Sequence, residues 1–90
     1  MNLSAWRIDK GLGFAETARM LGIEGVNPGG TLARIERGER RPDADMIDRI
    51  EVMTGGVVTA SDMHRIRLAW LREHRPEKFQ SVELPLEAAE

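Results

Sequence analysis

The chain has 90 residues, 41% apolar and 31% charged, with a net charge of −2 and no cysteine. That size allows one small globular domain, and the lack of cysteine excludes disulfides, thiolate metal sites and thiol nucleophiles. No apolar run approaches the roughly 20 residues needed to cross a bilayer, and Met1–Lys10 has no signal-peptide core, so the expected location is the cytoplasm without membrane contact.

The charge is unevenly placed. It sums to +2 over residues 1–41, −4 over 42–62, +3 over 63–78 and −3 over 79–90. Two basic blocks therefore sit in a weakly acidic chain, which leaves an anionic partner open despite the net sign.

Asn2 or Ser4 can cap a first helix that runs to about Lys10, with Leu3, Trp6 and Ile8 facing inward. Gly11-Leu12-Gly13 breaks it. Phe14–Leu21 reads as a second helix, with Phe14, Ala18 and Leu21 spaced i, i+4, i+7 as its inward face. Gly22 ends that helix and Ile23–Val26 forms a loop.

The third helix spans Pro28–Arg37. Asn27 can cap it with its side-chain oxygen, Pro28 suits the first helical position, and Gly38 suits a left-handed C-terminal residue. Leu32 and Ile35 form its apolar back, while Thr31, Arg34 and Arg37 share an outward face. Glu39-Arg40-Arg41 makes a charged exit. Pro42 restarts the chain and Asp43 caps a fourth helix to Met53, with Met46, Ile47, Ile50 and Met53 on one side.

Thr54-Gly55-Gly56 stops the fourth helix, and Val57-Val58 is too short for a sheet. Thr59 and Asp62 have capping-box spacing for a fifth helix from Ala60 or Ser61 to about His74. Met63, Ile66, Ala69 and Trp70 form its apolar stripe, widened by Leu68 and Leu71, and Phe79 is a candidate final anchor. Residues 80–90 read as a flexible acidic tail. The expected class is all-α with five helices.

Several spaced motifs share one pattern. Trp6-Arg7, Gly11–Gly22, Thr31–Gly38, Arg41-Pro42 and Ile50–Asp62 together resemble the lambda-repressor-like (Cro/C1, XRE-type) helix-turn-helix regulators. The resemblance covers residues 3–62 and implies a five-helix DNA-binding domain over 1–58. It further implies that Phe14–Leu21 is the first helix of the motif and Pro28–Arg37 the recognition helix. Residues 59–79 would then be an extended C-terminal helix that covers the core and can dimerise.

The chain departs from the family pattern in three places. Gly13-Phe14 stands where many members have Thr-Gln. Eight residues, Ile23–Gly30, lie where the usual turn has about four. Gly29 and Gly30 occupy positions that usually carry long polar side chains.

The function implied is a sequence-specific regulator of double-stranded DNA, a dimeric repressor that occupies an operator, with no cofactor and no small-molecule ligand. The candidate DNA-binding residues are Asn27, Gly29, Gly30, Thr31, Ala33, Arg34, Arg37, Arg40 and Arg41. Arg34 is the candidate base reader, because its planar fork can bond guanine O6 and N7 together. Thr31 can bond a phosphate or touch a thymine methyl, and Ala33 can make a small apolar contact. Gly29 and Gly30 would bring backbone N–H groups close to a phosphate. Arg37, Arg40 and Arg41 would position the helix on the backbone. The candidate dimerisation residues are Met63, Ile66, Trp70 and Phe79.

Rival readings of the same residues are specific. Arg34 can instead pair with Glu16, Glu36 or Glu39, and Glu36 suits an internal partner such as Arg7 or Arg41. Asn-Pro-Gly-Gly-Thr lacks the Gly-Lys-Ser/Thr ending of a nucleotide loop. His64 and His74 lie ten apart, too far for a metal pair on one helix, so no enzyme is expected. The main alternative is a protein-interaction module on the same scaffold, as in an antitoxin or antiactivator, favoured by the net acidity, Phe14 and the two glycines.

Overall fold

A computed structural model describes residues 1–80, and the acidic tail expected over residues 80–90 lies outside them but for Gln80. Six helices occur in chain order: α1 Leu3–Asp9, α2 Phe14–Met20, α3 Pro28–Arg37, α4 Ala44–Met53, α5 Ala60–His74 and α6 Glu77–Gln80. Among the described residues there is no strand, and Val57-Val58 forms none. The short α6 is an addition to the five helices expected.

Four helix starts and four helix ends have a local chemical cause. Asn2, Asn27 and Asp43 accept the N–H of Ala5, Gly30 and Met46 at 2.8, 3.0 and 2.8 Å, which satisfies otherwise unpaired donors at the starts of α1, α3 and α4. At α5 the Thr59 hydroxyl accepts from Asp62 N–H while the Asp62 carboxylate accepts from Thr59 N–H, at 3.1 and 3.0 Å. The first four helices all end on a left-handed glycine. At α2 the Gly22 and Ile23 N–H groups return to Arg19 and Ala18 carbonyls at 3.0 and 2.9 Å.

The core gathers residues from five helices and two connections: Leu3 and Trp6, Ala18 and the α2 cap Leu21, Leu32 and Ile35, Ile50, Val58 and Met63. Leu12, Ile23, Met46 and Met53 pack around it. Thr54 keeps Val58 inside without an orphaned donor, since its hydroxyl donates to Ile50 O at 2.8 Å and accepts from Val58 N–H at 3.1 Å. The Thr17 hydroxyl, by contrast, is buried and has no partner among the described residues.

Two inward assignments need correcting. Ile8 is 65% exposed, because the buried face of α1 is Leu3, Trp6 and Arg7 and the arginine takes the place expected of the isoleucine. Phe14 is 40% exposed although Ala18 and Leu21 on its face are buried. It opens a helix of two turns, and its ring lies 3.8 Å from the Arg7 guanidinium, which covers it in place of the core.

Candidate nucleic-acid interface

α3 packs along α2, and a buried ion pair holds it to α1. Arg7 donates from Nε to Glu36 Oε2 at 2.7 Å and from Nη2 to Oε1 at 3.3 Å, and its Nη1 donates to Leu12 O at 2.9 Å. Both residues are buried, so this bidentate pair fixes the rotation of α3 about its axis. Leu32 and Ile35 then face the core, and Arg34 and Arg37 are left outside with side chains 46% and 58% exposed.

The first turn of α3 is bare for packing reasons. A Cβ at Gly29 would stand 3.3 Å from Ala15 N and 3.4 Å from Phe14 Cβ, so a side chain there would crowd the start of α2. A Cβ at Gly30 would run into the Asn27 side chain, whose oxygen already holds the Gly30 N–H. That N–H is engaged within the chain, and so is the Asn27 side chain.

Thr31 is half-buried and lines an open cleft of ≈ 310 Å³. Gly22, Glu24, Arg40, Arg41 and Asp43 also line this cleft. Ala33 is half-buried. Arg40 and Arg41 are exposed, and neither pairs with a carboxylate among the described residues.

The exit of α3 is built more heavily. Gly38 takes φ 85°, and the Gly38 and Glu39 N–H groups bond Ile35 and Arg34 carbonyls at 3.1 and 2.9 Å. A Cβ at Gly38 would overlap the Ile66 carbonyl and sit 2.9 Å from Ile66 Cγ2, so only glycine lets α5 come this close. Arg67 then donates from Nη1 to Gly38 O and Glu39 O at 2.8 and 2.6 Å, placing a cation at the negative end of α3.

Arg67 is a residue that pattern reading missed, since nothing local marks an arginine that caps a distant helix. Beyond Gly38 the chain turns back, and Glu39 reaches two arginines: Arg37 donates to Oε1 at 2.9 Å and Arg34 Nε lies 3.9 Å from Oε2. The Arg37 hydrogen bond holds the Glu39 carboxyl below its ordinary range.

The loop before α3 is fastened at both ends. Arg49 of α4 donates to Leu21 O at 3.1 Å, and Asn27 closes the other end as the α3 cap. Between them Val26 is fully exposed.

The candidate dimer residues divide. Met63 lies in the chain's own core, 4% exposed, and has almost no surface to give a partner. Ile66, Trp70 and Phe79 are half-buried. Trp70 stacks on His74 with centroids 4.3 Å apart, and the Arg72 guanidinium lies 5.4 Å from the Phe79 ring.

Among the described residues no group of three acidic or histidine side chains is placed to hold a metal, and no helix is long and apolar enough to cross a membrane. No family model matches the chain, and neither a curated protein nor a solved structure is significantly similar to it.

Proposed function

We propose that the chain is a lambda-repressor-like helix-turn-helix regulator of the cytoplasm that binds double-stranded operator DNA as a dimer and represses by occupying it. The observation that carries this reading is the orientation of α3. Its apolar back is packed on α2, its register is held by Arg7–Glu36, and its exposed side and exit carry Arg34, Arg37, Arg40 and Arg41. A helix about 10–12 Å across fits the major groove.

In this reading Arg34 recognises guanine, Thr31 contacts a phosphate or a thymine methyl, and Ala33 lies against the groove. Arg37, Arg40 and Arg41 hold the backbone. The surface that joins two copies is Ile66, Trp70 and Phe79, and the two copies would read half-sites about 34–36 Å apart.

The test is a selection of bound duplexes from random DNA, followed by titration of the winner at about 150 mM salt. Arg34→Ala should lose roughly 1–3 kcal/mol of preference for the selected site, read as the ratio of selected to random affinity. No enrichment, or an unchanged ratio in the variant, rejects the reading.

A second reading is favoured by a separate observation. Met20 and Val52, 55% and 73% exposed, line an open depression between α2 and α4 with Met53, Asp48 and Arg49, and this mixed surface suits a protein partner on the same scaffold. A stable heteromer with no salt-dependent DNA shift would select it.

A further inference from the structure

Glu39 follows the left-handed Gly38, so its carboxylate swings back beside the last turn of α3 and lands between two arginines proposed to meet DNA. Oε1 accepts from Arg37 Nη2 at 2.9 Å, and Oε2 lies 3.9 Å from Arg34 Nε. The backbone beneath it is pinned. Its N–H donates to Arg34 O at 2.9 Å, and its carbonyl and that of Gly38 both accept from Arg67.

The carboxylate itself is 39% exposed, and its only side-chain hydrogen bond among the described residues is to Arg37. The fold therefore has little use for its charge. An exposed anion between two guanidinium groups is, however, what a DNA phosphate would offer the same pair.

Glu39 differs in this from its acidic neighbours. Asp43 is occupied in capping α4, and Glu24 forms no ion pair among the described residues. The bond from Arg37 holds the Glu39 carboxyl below its ordinary range.

We infer that Glu39 is a built-in competitor for the phosphate backbone of duplex DNA, engaging Arg34 and Arg37 in the free protein and releasing them on binding. The inference rests on the DNA-binding reading. Every complex must exchange the carboxylate for phosphate or base acceptors, and the carboxylate left beside the backbone repels it. Glu39 thus sets how strongly the protein holds DNA of any sequence. Its removal should free cationic groups that the fold does not need.

The test compares the wild type, Glu39→Gln, Arg37→Ala and the double variant on one labelled random-sequence duplex. Anisotropy is followed across a salt series, and folding is verified by circular dichroism. Glu39→Gln keeps the side-chain size and leaves both pinning backbone groups in place.

The expected result is roughly two- to fivefold tighter binding by Glu39→Gln. Its plot of log affinity against log salt should steepen by about 0.9, equivalent to one more neutralised phosphate. In the Arg37→Ala background the gain should fall by about half or more, because one of the two competed groups is gone. A gain of full size in that background reflects general charge removal and overturns the inference. So does wild-type binding with no gain in Glu39→Gln, which leaves DNA binding itself intact. Absence of binding by all four proteins overturns the inference together with the reading beneath it.

Discussion

At its N-terminal end α3 is held by one side-chain hydrogen bond, from Gly30 N–H to Asn27 Oδ1, and by the close seat of Gly29 against α2. At its C-terminal end it is held by the buried Arg7–Glu36 pair, by Gly38 under Ile66, and by Arg67 across two carbonyls. The first end is slim, without side chains on two successive residues. The second is tied to helices at both extremes of the domain. The helix is thus anchored from behind and below, and its front edge is left narrow; on the proposed reading that edge is what enters a groove. On this contrast, substitutions at the exit should be far more damaging to the fold than substitutions at the entry.

The strongest way to break the contrast is to leave Arg7 buried without its partner. Glu36→Ala should destabilise the domain by about 3–5 kcal/mol, measured by urea unfolding, while Arg7→Met combined with Glu36→Leu should recover most of that loss. An uncorrected loss in the double variant would mean that the Arg7 bond to Leu12 O and its contact with Phe14 matter more than the ion pair.

Next in size is a matched pair of glycine substitutions on the one helix. Gly38→Ala should cost about 3 kcal/mol, since the left-handed φ and the Ile66 carbonyl both resist a methyl group. Gly30→Ala should come out within about 1 kcal/mol of wild type. There the lost Asn27 cap is offset by the gain in helix propensity, and the obstructing group is a side chain that can turn away. Equal losses at the two positions would erase the difference between the ends.

The smallest effect is a pH dependence that reaches the exit indirectly, through the start of α5. The Asp62 carboxyl is held below its ordinary range, first by the Thr59 N–H and then by the Met1 ammonium. Its folded form therefore binds a proton less readily than the unfolded chain. The stability it contributes is present above the ordinary aspartate range and is lost as pH falls through the lowered folded value. Thermal unfolding from neutral to acid pH should show this loss, and Asp62→Asn should flatten it.

These contrasts also explain what could be read in the residues before the fold was known. Caps and terminators are local, so Asn27, Asp43, Thr59 with Asp62, and the glycines after the first four helices were legible from spacing alone. The internal role of Glu36 was legible too, from its place in the Arg34-Ile35-Glu36-Arg37-Gly38 run that carries the family resemblance. Choosing Arg7 over Arg41 was not, since 29 residues separate the pair and only the packing of α1 on α3 decides it. Arg34 had three candidate carboxylates. Glu39 is the one that reaches it, because the turn at Gly38 folds the chain back.

Phe14 and Arg67 escaped for a shared reason. The surroundings of each are set by a group from another element, a guanidinium above the ring in one case and two backbone carbonyls in the other. Neither leaves a trace in apolar periodicity. The all-helical class was evident throughout. Which residues of α5 stay outside was not, because Met63 alone of its stripe is fully buried and periodicity does not grade burial along a helix.

The loop between α2 and α3 carries one more consequence. Arg49 fastens its first residue and Asn27 its last, and Ile23 packs on the core, so only the stretch from Glu24 to Val26 is left without a fixed seat. Segments of this kind can change length over evolution while the elements they join stay in register. The exposed tip at Val26 is accordingly the natural splice point of the domain. A short insertion, a fluorophore or a reporter peptide placed there should leave the seat of α3 unchanged, checked by an unaltered thermal unfolding midpoint.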